Sequence, residues 1–512
     1  MSKLQNIGRP ALISSFENNK YSVDLMQDNE GAYTIRIKSL IGAGYTAKHS
    51  KYNLLNNDGE IIQSKHITLE ISEHLINNIL KNGETEGFNV YEEAIDTQVI
   101  DDIGMRIISP DSIRHKVSNK EQSFTARGEK LNSHWPIFQK YKETGYGSII
   151  RATMTLHQLC SSHCHYCSTI ARNKKDSITL EEAKDFVKSL YFDQAEFNKS
   201  SFAEYNDLYK KQTGSDIRLK GLILSGGGQP NLWPHFEEFV EWLSSLDIEL
   251  GLITNGFPKK VPDSVYKNFT WIRLSITPED ASPHYLEGQF NNQYIPEFLK
   301  NNSNIAFGLS YVYGAWTDTD ILQRINKAIS DWNIDYCRML TDCNLTRSSQ
   351  LLAHKRLADI LFEMGYIDEN GNPIGKIFHQ LKYHGTPEEA GELWESGQCF
   401  LQIYNIFWDT TGHEDNGESF CYTCDSITVL SEESQDKVEV SERRFNSDKW
   451  GTVPNTKVDM LFRQKVKSYF NPTESCVACL FMRNNQAVKD LVSIDDYSSI
   501  KIDDQIMHVN FP

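Results

Sequence analysis

The sequence carries ten cysteines, and their grouping is its clearest indication of chemistry. None precedes residue 160, and most fall into one triplet and two pairs: Cys160-x3-Cys164-x2-Cys167, Cys421-x2-Cys424 and Cys476-x2-Cys479. Thiolates at such short spacings are typical ligands of zinc and of iron–sulfur clusters. The polar N-terminus lacks the apolar core of a signal peptide, so we expect a cytoplasmic protein whose thiols stay reduced. Metal ligation therefore explains these cysteines better than disulfide bonds.

The triplet has the chemistry of a cluster with one open iron. Three thiolates on one short loop can hold three irons of a [4Fe–4S] cube, and no fourth cysteine lies nearby in the sequence. The remaining iron is then left to a ligand that the protein does not provide. The alternative is a zinc site of three cysteines that His157, His163 or His165 completes.

The elements that must position this loop form a regular series. From residue 149 onward, apolar segments that predict strands alternate with amphipathic segments that predict helices. The predicted strands cover residues 149–155, 219–224, 250–254, 271–276, 305–311 and 334–340. Serial β-α units build a parallel sheet with helices outside it. Because six units are too few to close an eightfold barrel, we predict an α/β fold with an open (β/α)6 partial TIM barrel. Its functional residues should follow the C-terminal strand ends.

The remaining segments predict further domains. Residues 1–148 are expected to form an N-terminal α+β domain, with a strand at 33–37, and residues 149–366 the partial barrel. Residues 367–494 are expected to form a cysteine-rich C-terminal extension, and residues 495–512 a tail. The net charge of −17 opposes broad nucleic-acid binding, because phosphates would be repelled. No apolar run approaches the ~20 residues that a membrane-spanning helix needs.

Three polar motifs follow successive predicted strands. They are Ser225-Gly226-Gly227-Gly228-Gln229-Pro230, Thr254-Asn255-Gly256 and Arg273-Leu274-Ser275. With the cysteine triplet, in which Tyr166 precedes the last cysteine, they resemble the radical S-adenosylmethionine (SAM) superfamily over about residues 149–345. The resemblance implies that SAM contacts Tyr166, Ser225–Gln229, Asn255 and Ser275. Gln229 stands where the family usually has glutamate, so its carbonyl accepts a hydrogen bond from the SAM amino group without charge assistance.

The resemblance also implies a reaction. SAM would chelate the open iron of the [4Fe–4S] cluster, and one electron would cleave it to a 5′-deoxyadenosyl radical. That radical would take a hydrogen atom from a substrate C–H bond. A flavodoxin- or ferredoxin-type protein would supply the electron.

The C-terminal cysteines predict a second metal site. Cys421, Cys424, Cys476 and Cys479 supply four thiolates, and Cys399 is a fifth candidate. These thiolates suit either structural zinc or a second, auxiliary [4Fe–4S] cluster. The auxiliary cluster resembles the SPASM and twitch extensions of peptide-modifying radical SAM enzymes. The full seven-cysteine SPASM pattern is missing, so one cluster on a twitch-like module is expected.

Two cysteines remain, and one bears on the reaction. Cys337 lies within the sixth predicted strand and is expected to be a buried apolar residue. Cys343 follows that strand, and two interpretations stay open: a residue packed within its loop, or a thiol that gives a hydrogen atom to a carbon radical, a layout that resembles radical SAM peptide epimerases. The predicted function is modification of a ribosomally synthesised precursor peptide, by Cα epimerisation or by a thioether or carbon–carbon crosslink. The alternative is a radical SAM dehydrogenase or epimerase of a sugar or other small molecule.

Overall fold

The structure is a computed structural model. It describes residues 123–124, 128–162, 164–167, 169, 172–256, 261–277, 298, 301–302, 304–342, 344–345, 347–368, 371–380, 399–410, 419–424, 458–466 and 481–512. It also describes the backbone of eight further strands. The chain divides into two compact units. One contains Met1–Arg114, Leu345–Arg356 and Ser431–Glu433, and the other contains the remaining residues. The domain boundaries drawn from the sequence at residues 148, 366 and 494 stay predictions.

The N-terminal unit contains two antiparallel sheets. The first has the order β1-β2-β3-β4, with β1 at Ala11–Glu17, β2 at Tyr21–Gln27, β3 at Tyr33–Ser39 and β4 at Ser50–Leu54. The second has the order β5-β6-β7, with β5 at Ile61–Gln63, β6 at Thr68–Ile71 and β7 at Met105–Ile108. Strand β3 contains the predicted strand at 33–37.

The larger unit is built on one open, ten-stranded sheet. Its strands are β8 (Arg151–Thr155), β9 (Gly221–Ser225), β10 (Glu249–Thr254), β11 (Trp271–Ile276), β12 (Ala306–Tyr313), β13 (Tyr336–Thr341), β14 (Ile377–Gln380), β15 (Asn405–Asp409), β16 (Phe420–Tyr422) and β17 (Val453–Pro454). Their order is β14-β13-β12-β11-β10-β9-β8-β15-β16-β17. All pairs from β14 to β15 are parallel, and the last two are antiparallel. The predicted open parallel α/β core is confirmed, because all six predicted strands are present as neighbours.

Two parallel strands extend this core beyond the six predicted ones. Strand β14 has only four residues, two of them polar, so it lacks the apolar run that marks the other strands. Strand β15 lies in the region predicted as a C-terminal extension, yet it pairs with β8 at the start of the core. The sheet therefore includes segments from two regions that the sequence separates.

The described helices lie before, between and after these strands along the chain. They are α1 (Trp135–Thr144), α2 (Leu180–Lys188), α3 (Gln194–Ser201), α4 (Ala203–Thr213), α5 (Phe236–Leu243), α6 (Asp263–Tyr266), α7 (Thr319–Asp331), α8 (Arg347–Glu363), α9 (Met460–Arg463) and α10 (Met482–Ser493). Helix α2 begins with a capping box, in which the Thr179 hydroxyl accepts from the Glu182 amide and the Glu182 carboxylate accepts from the Thr179 amide. Among the described helices, none has the length and apolarity needed to cross a bilayer.

An apolar core lies between several of these helices and the residue that precedes β8. We call it the α1–α10 cluster, and its buried members are Leu131, Ile137, Phe138, Ile150, Tyr209, Ile217, Cys399, Phe400, Leu401, Ile403, Tyr404, Val488 and Leu491. It joins α1, α4 and α10 to the segment that leads into β15. Burial of these side chains from water is the main source of their contribution to stability.

The strand register aligns the ends that carry the predicted motifs. Thr155 at the end of β8 pairs with Ser225, and Thr254 at the end of β10 pairs with Leu274. The residues that directly follow β8, β9, β10 and β11 therefore meet at one edge of the sheet. Polar side chains far apart in sequence are brought together there.

Candidate functional site

A cavity of about 320 Å³ lies at the C-terminal ends of the parallel strands. It brings together the cysteine triplet and every residue predicted to contact SAM: Cys160, Cys164, Cys167, Tyr166, Ser225, Gly226, Gly227, Gly228, Gln229, Asn255 and Ser275. The remaining wall includes the hydroxyls of Thr277 and Thr341 and the apolar side chains of Ile253, Val312 and Leu340. Three thiols and several neutral polar groups thus face one small-molecule-sized space.

The loop that carries the triplet follows β8 directly. All three thiols are partly exposed, and the Cys167 amide donates to the Cys164 carbonyl oxygen at 3.0 Å. Two donors face the sulfurs. Arg172 Nη1 lies 3.1 Å from Cys167 Sγ, and the Ser162 amide lies 3.4 Å from Cys160 Sγ. A guanidinium and a backbone N–H group thus lie within hydrogen-bond reach of two of the three sulfurs.

The donor set is compatible with an iron–sulfur cluster. A cube distributes its cysteine ligands over separate irons, so the thiolates need not converge on one point. Three thiols lie on one loop here, and hydrogen-bond donors face two of their sulfurs.

The histidines considered for a zinc site have other roles or lie outside the description. His157 is buried, and its Nε2 lies 2.6 Å from the Gln229 carbonyl oxygen. Burial lowers the pKa of His157, so the ring is neutral and its Nε2–H donates to that carbonyl. His165 is exposed and packs edge-on against Trp316, with ring centroids 4.5 Å apart. His163 lies outside the described residues.

Two asparagine side chains hold the cysteine loop in place. Asn255 Nδ2 donates to the hydroxyls of Ser161 and Ser162, at 3.1 and 2.7 Å. Asn344 Nδ2 donates to the Tyr166 carbonyl oxygen at 2.9 Å. Both asparagines follow strand ends, β10 and β13 respectively. The loop is thus fixed from two sides by groups of the sheet, which orders its thiols before any ligand binds.

The glycine run packs against the start of the cysteine loop. Gly226 has φ +151°, and a Cβ atom there would lie 2.6 Å from Thr155 Cγ2. A Cβ atom at Gly228 would lie 2.4 Å from the His157 carbonyl oxygen. The sequence predicts that these glycines let a ligand approach the backbone closely. In the structure they also permit close approach between the ends of β8 and β9.

The C-terminal cysteines divide between described and undescribed segments. Cys399 belongs to the α1–α10 cluster, and Cys424 packs against it. Burial raises the pKa of the Cys399 thiol to about 11 and raises that of Cys421, which lies in β16. Cys476 and Cys479 lie outside the described residues. A site shared by these five cysteines stays a prediction, and so does the choice between iron–sulfur and zinc.

Of the two other cysteines, Cys337 belongs to the described residues and Cys343 does not. Cys337 is fully buried in β13, and burial raises the pKa of its thiol, as expected for an apolar core residue. Cys343 lies outside the described residues. Its neighbours Asp342 and Asn344 are buried, and Thr341 lines the cavity. The role of Cys343 stays a prediction.

Sequence reasoning missed the residues that position the loop. Neither Arg172 nor Asn344 belongs to the recognised motifs, and each acts through contacts between distant segments. Asn255 is marked by its motif, whereas the local signal for Asn344 is only its place shortly after a predicted strand.

Comparisons with known proteins give similarities of fold. No protein-family model matches the sequence, and no curated protein is similar enough to count as a match. Among solved structures, SuiB of Streptococcus suis bound to its precursor peptide SuiA is 10% identical, with a TM-score of 0.41, covering 72% of this chain and 78% of that one. SuiB bound to S-adenosylmethionine has a TM-score of 0.37 at 10% identity, covering 60% and 69%. Archaeal TYW1 has a TM-score of 0.29 at 11% identity, covering 48% and 90%.

Proposed function

We propose that this chain is a radical SAM enzyme that acts on a C–H bond of its substrate. The observation that supports this most directly is the single cavity in which the cysteine triplet meets the three motifs from β9, β10 and β11. A [4Fe–4S] cluster held by Cys160, Cys164 and Cys167 would supply the electron that cleaves SAM to a 5′-deoxyadenosyl radical.

The side chains around the cavity would bind and orient SAM. Asn255, Ser275 and Thr277 offer an amide and two hydroxyls to the polar parts of the molecule. Ile253, Val312 and Leu340 form an apolar wall. Such a wall excludes water, which protects a carbon radical from side reactions. Arg172, whose Nη1 lies 3.1 Å from Cys167 Sγ, would donate a hydrogen bond to that ligand sulfur.

The finer proposal is that the substrate is a ribosomally synthesised precursor peptide, epimerised at Cα. Removal of the Cα hydrogen atom leaves a planar carbon radical, and the Cys343 thiol would return a hydrogen atom to its opposite face. The sulfur radical left behind needs one electron and one proton, which the electron donor and solvent would supply. The C-terminal cysteines would hold an auxiliary cluster that serves this step. The alternative outcome is a thioether or carbon–carbon crosslink, in which the carbon radical bonds to a second group of the peptide. That group would lose a proton, and one electron would pass to the auxiliary cluster.

The electron donor is proposed to dock beside the cysteine loop. Leu159, next to Cys160, is 42% exposed. Its segment runs beside residues 175–177, where the Gln158 amide donates to the Asp176 carbonyl oxygen at 2.9 Å. Lys174 and Lys175 are exposed on that neighbouring segment. A local basic surface with one exposed apolar side chain, on a chain of net charge −17, suits an acidic flavodoxin- or ferredoxin-type protein.

Charge reversal separates docking from chemistry. In the Lys174→Glu, Lys175→Glu double variant, SAM cleavage driven by reduced flavodoxin should fall about tenfold at low salt. Cleavage driven by dithionite should not change, because that reductant needs no docking surface. The matched control reverses Lys210 and Lys211, which are exposed on α4. Equal losses in both variants would refute this docking surface.

The proposed chemistry is tested by product analysis under anaerobic conditions. Reconstituted protein with SAM and dithionite should release 5′-deoxyadenosine, and Cys160→Ala should release none. For epimerisation, Cys343→Ala should still form 5′-deoxyadenosine but no inverted residue, and wild-type product formed in D2O should carry deuterium at the inverted carbon. Inverted product from Cys343→Ala would remove this thiol from the mechanism.

A further inference from the structure

The side chain of Gln229 is enclosed by the protein although its residue borders the cavity. Gln229 is only 3% exposed. Its Nε2 donates to Asn231 Oδ1 at 2.6 Å and to the Thr254 hydroxyl oxygen. Its Oε1 accepts the Asn255 amide hydrogen at 3.0 Å. We call these four residues the amide bracket.

The orientation of the Gln229 carboxamide follows from one of these partners. The Asn255 backbone N–H can only donate, so the oxygen of the side chain must face it. The nitrogen then faces Asn231 and Thr254, and both of its hydrogens have acceptors. A glutamate carboxylate could accept from Asn255 but could donate nothing to the Asn231 oxygen. The bracket therefore depends on the side-chain N–H donor that glutamine has and that glutamate, the residue usual in the family, lacks.

The bracket connects the end of β9 to the cysteine loop through Asn255. Gln229 follows the glycine run after β9, and Asn255 follows β10. While the Asn255 backbone is held by Gln229, its side chain donates to Ser161 and Ser162, directly after Cys160. A change at the Gln229 side chain thus reaches Ser161 and Ser162, which directly follow Cys160, through Asn255. The Gln229 amide also donates directly to the Leu159 carbonyl oxygen at 2.7 Å, and substitution of the side chain leaves this backbone bond in place.

We infer that Gln229 is a positioning residue, which sets the cysteine loop through Asn255 and does not contact SAM. This assignment replaces the direct contact expected from the sequence. The inference rests on the proposed function in one respect only, namely that the thiols bind an iron–sulfur cluster. The positioning of the cysteine loop by Gln229 applies equally to the cluster-free protein.

The primary test uses cluster-free protein. Gln229→Leu keeps the approximate size of the side chain and removes all three hydrogen bonds. We expect iodoacetamide to alkylate Cys160 about fivefold faster, the factor that corresponds to the loss of one ordinary buried hydrogen bond. The readout is peptide mapping by mass spectrometry. An unchanged rate would overturn the inference.

The control separates positioning from general destabilisation. Gln194 is also a fully buried glutamine with three bonds, to the Ile149 amide at 2.7 Å and to the Ile149 and Leu190 carbonyl oxygens at 2.9 and 3.0 Å. Gln194→Leu should lower the thermal midpoint without changing the alkylation rate of Cys160. If it accelerates alkylation as much as Gln229→Leu does, the effect is general and the inference is wrong.

A double-mutant cycle tests the route through Asn255. Asn255→Ala alone should also accelerate alkylation of Cys160 about fivefold, and adding Gln229→Leu should change little, because both act on one connection. Multiplied effects, about 25-fold together, would show that Gln229 acts independently of Asn255 and would refute the proposed route.

Gln229→Glu distinguishes positioning from ligand contact. If Gln229 touched the SAM amino group, a carboxylate should bind SAM more tightly through charge assistance. The bracket predicts no gain in SAM affinity by isothermal titration calorimetry, and a weaker electron paramagnetic resonance signal of the reconstituted cluster. Tighter SAM binding with an unchanged signal would overturn the inference. If wild-type protein holds no cluster, the proposed function fails, while the alkylation results still test the bracket.

Discussion

The two ends of the parallel sheet are built in opposite ways. At the C-terminal ends, partly exposed thiols, hydroxyls and amides border an open cavity. At the N-terminal ends, ionisable side chains are buried and bonded to the protein itself, and residues 506–512 cover them. Two of the strands, β8 and β10, contribute to both ends, with Arg151 and Glu249 at the covered end. The difference is that the polar groups of one end border a cavity, whereas those of the other lie beneath a segment of the chain itself.

At the covered end, buried ionisable groups form hydrogen bonds with the covering segment. Arg151 Nη1 donates to the Pro512 carbonyl oxygen at 2.7 Å, and Lys130 Nζ donates to the Phe511 carbonyl oxygen at 3.2 Å. Asn510 Nδ2 donates to Glu249 Oε1 at 2.7 Å. Burial lowers the pKa of Lys130 and raises that of Glu249. Such groups are costly to bury unless partnered, so this end should govern stability, whereas the open end should govern chemistry.

The largest expected effect is at the open end. Gly228→Ala places a Cβ atom 2.4 Å from the His157 carbonyl oxygen, so the backbone leading into the cysteine loop must shift. Displacement of a catalytic loop by about 1 Å can cost about 100-fold in rate, and we expect that loss in 5′-deoxyadenosine formation. Gly375→Ala is the matched control, because a Cβ atom there would enter open space. A wild-type rate in Gly228→Ala would contradict the account.

The corresponding change at the covered end should affect stability instead. A Cβ atom at Gly221 would lie 2.2 Å from the Asn510 carbonyl oxygen, which belongs to the covering segment. Gly221→Ala should reduce the free energy of unfolding by about 1–3 kcal/mol, as overpacking does. Denaturant titration measures the loss. The rate of 5′-deoxyadenosine formation per bound cluster should match that of wild type. A large fall in that rate would contradict the claim that the covered end governs stability and not the reaction.

The covered end should also be sensitive to acid. Burial lowers the pKa of His134 to about 4, and its Nε2 lies 3.1 Å from the Val509 carbonyl oxygen. The unfolded chain, with a histidine pKa near 6.5, takes up the proton first. The contribution of this group is therefore complete above that pH and declines as the pH falls toward 4. At pH 5 we expect a loss of about 2 kcal/mol relative to pH 8.

His134→Gln isolates that contribution. The variant keeps a side-chain donor but cannot titrate, so its stability should fall less than that of wild type between pH 8 and pH 5. Urea titrations at the two pH values measure the difference. Parallel losses in wild type and variant would show that His134 is not the source of the acid sensitivity.

The smallest expected effect concerns a cysteine outside both proposed metal sites. Cys337 is fully buried in β13, and Cys337→Ala removes one sulfur atom from the core. We expect a loss of about 1 kcal/mol in the free energy of unfolding. SAM cleavage and iron content should equal those of wild type. A loss of iron would place this thiol among the ligands.

The site was more predictable from sequence than the covered end, for a physical reason. Apolar runs mark the parallel strands, and the C-terminal ends of such strands must meet, so Ser225, Asn255 and Ser275 could be assigned to one site. The roles of Asn344 and Arg172 depend on contacts between distant segments, which leave no local pattern. The same holds for Phe511, which packs on Trp271 across 240 residues of sequence.

Prediction of the sheet from the sequence is limited for the same reason, because pairing between distant strands leaves no local pattern. Strands β9–β13 are rich in apolar side chains and largely buried, and β8 follows the apolar pair Ile149-Ile150. Strand β14 is too short for that signal. Strand β15 has the composition of a strand, but nothing local indicates that its partner is β8, about 250 positions earlier in the chain.

The most direct test of the central claim is the iron and sulfide content after anaerobic reconstitution. Wild type is compared with the Cys160→Ala, Cys164→Ala, Cys167→Ala triple variant. The account predicts about eight irons in wild type and about four in the variant, with the remainder held by the C-terminal cysteines. A fall from about four to none would keep the cluster at the triplet and withdraw the auxiliary one. Equal iron content in both proteins would contradict the claim that the triplet holds a cluster.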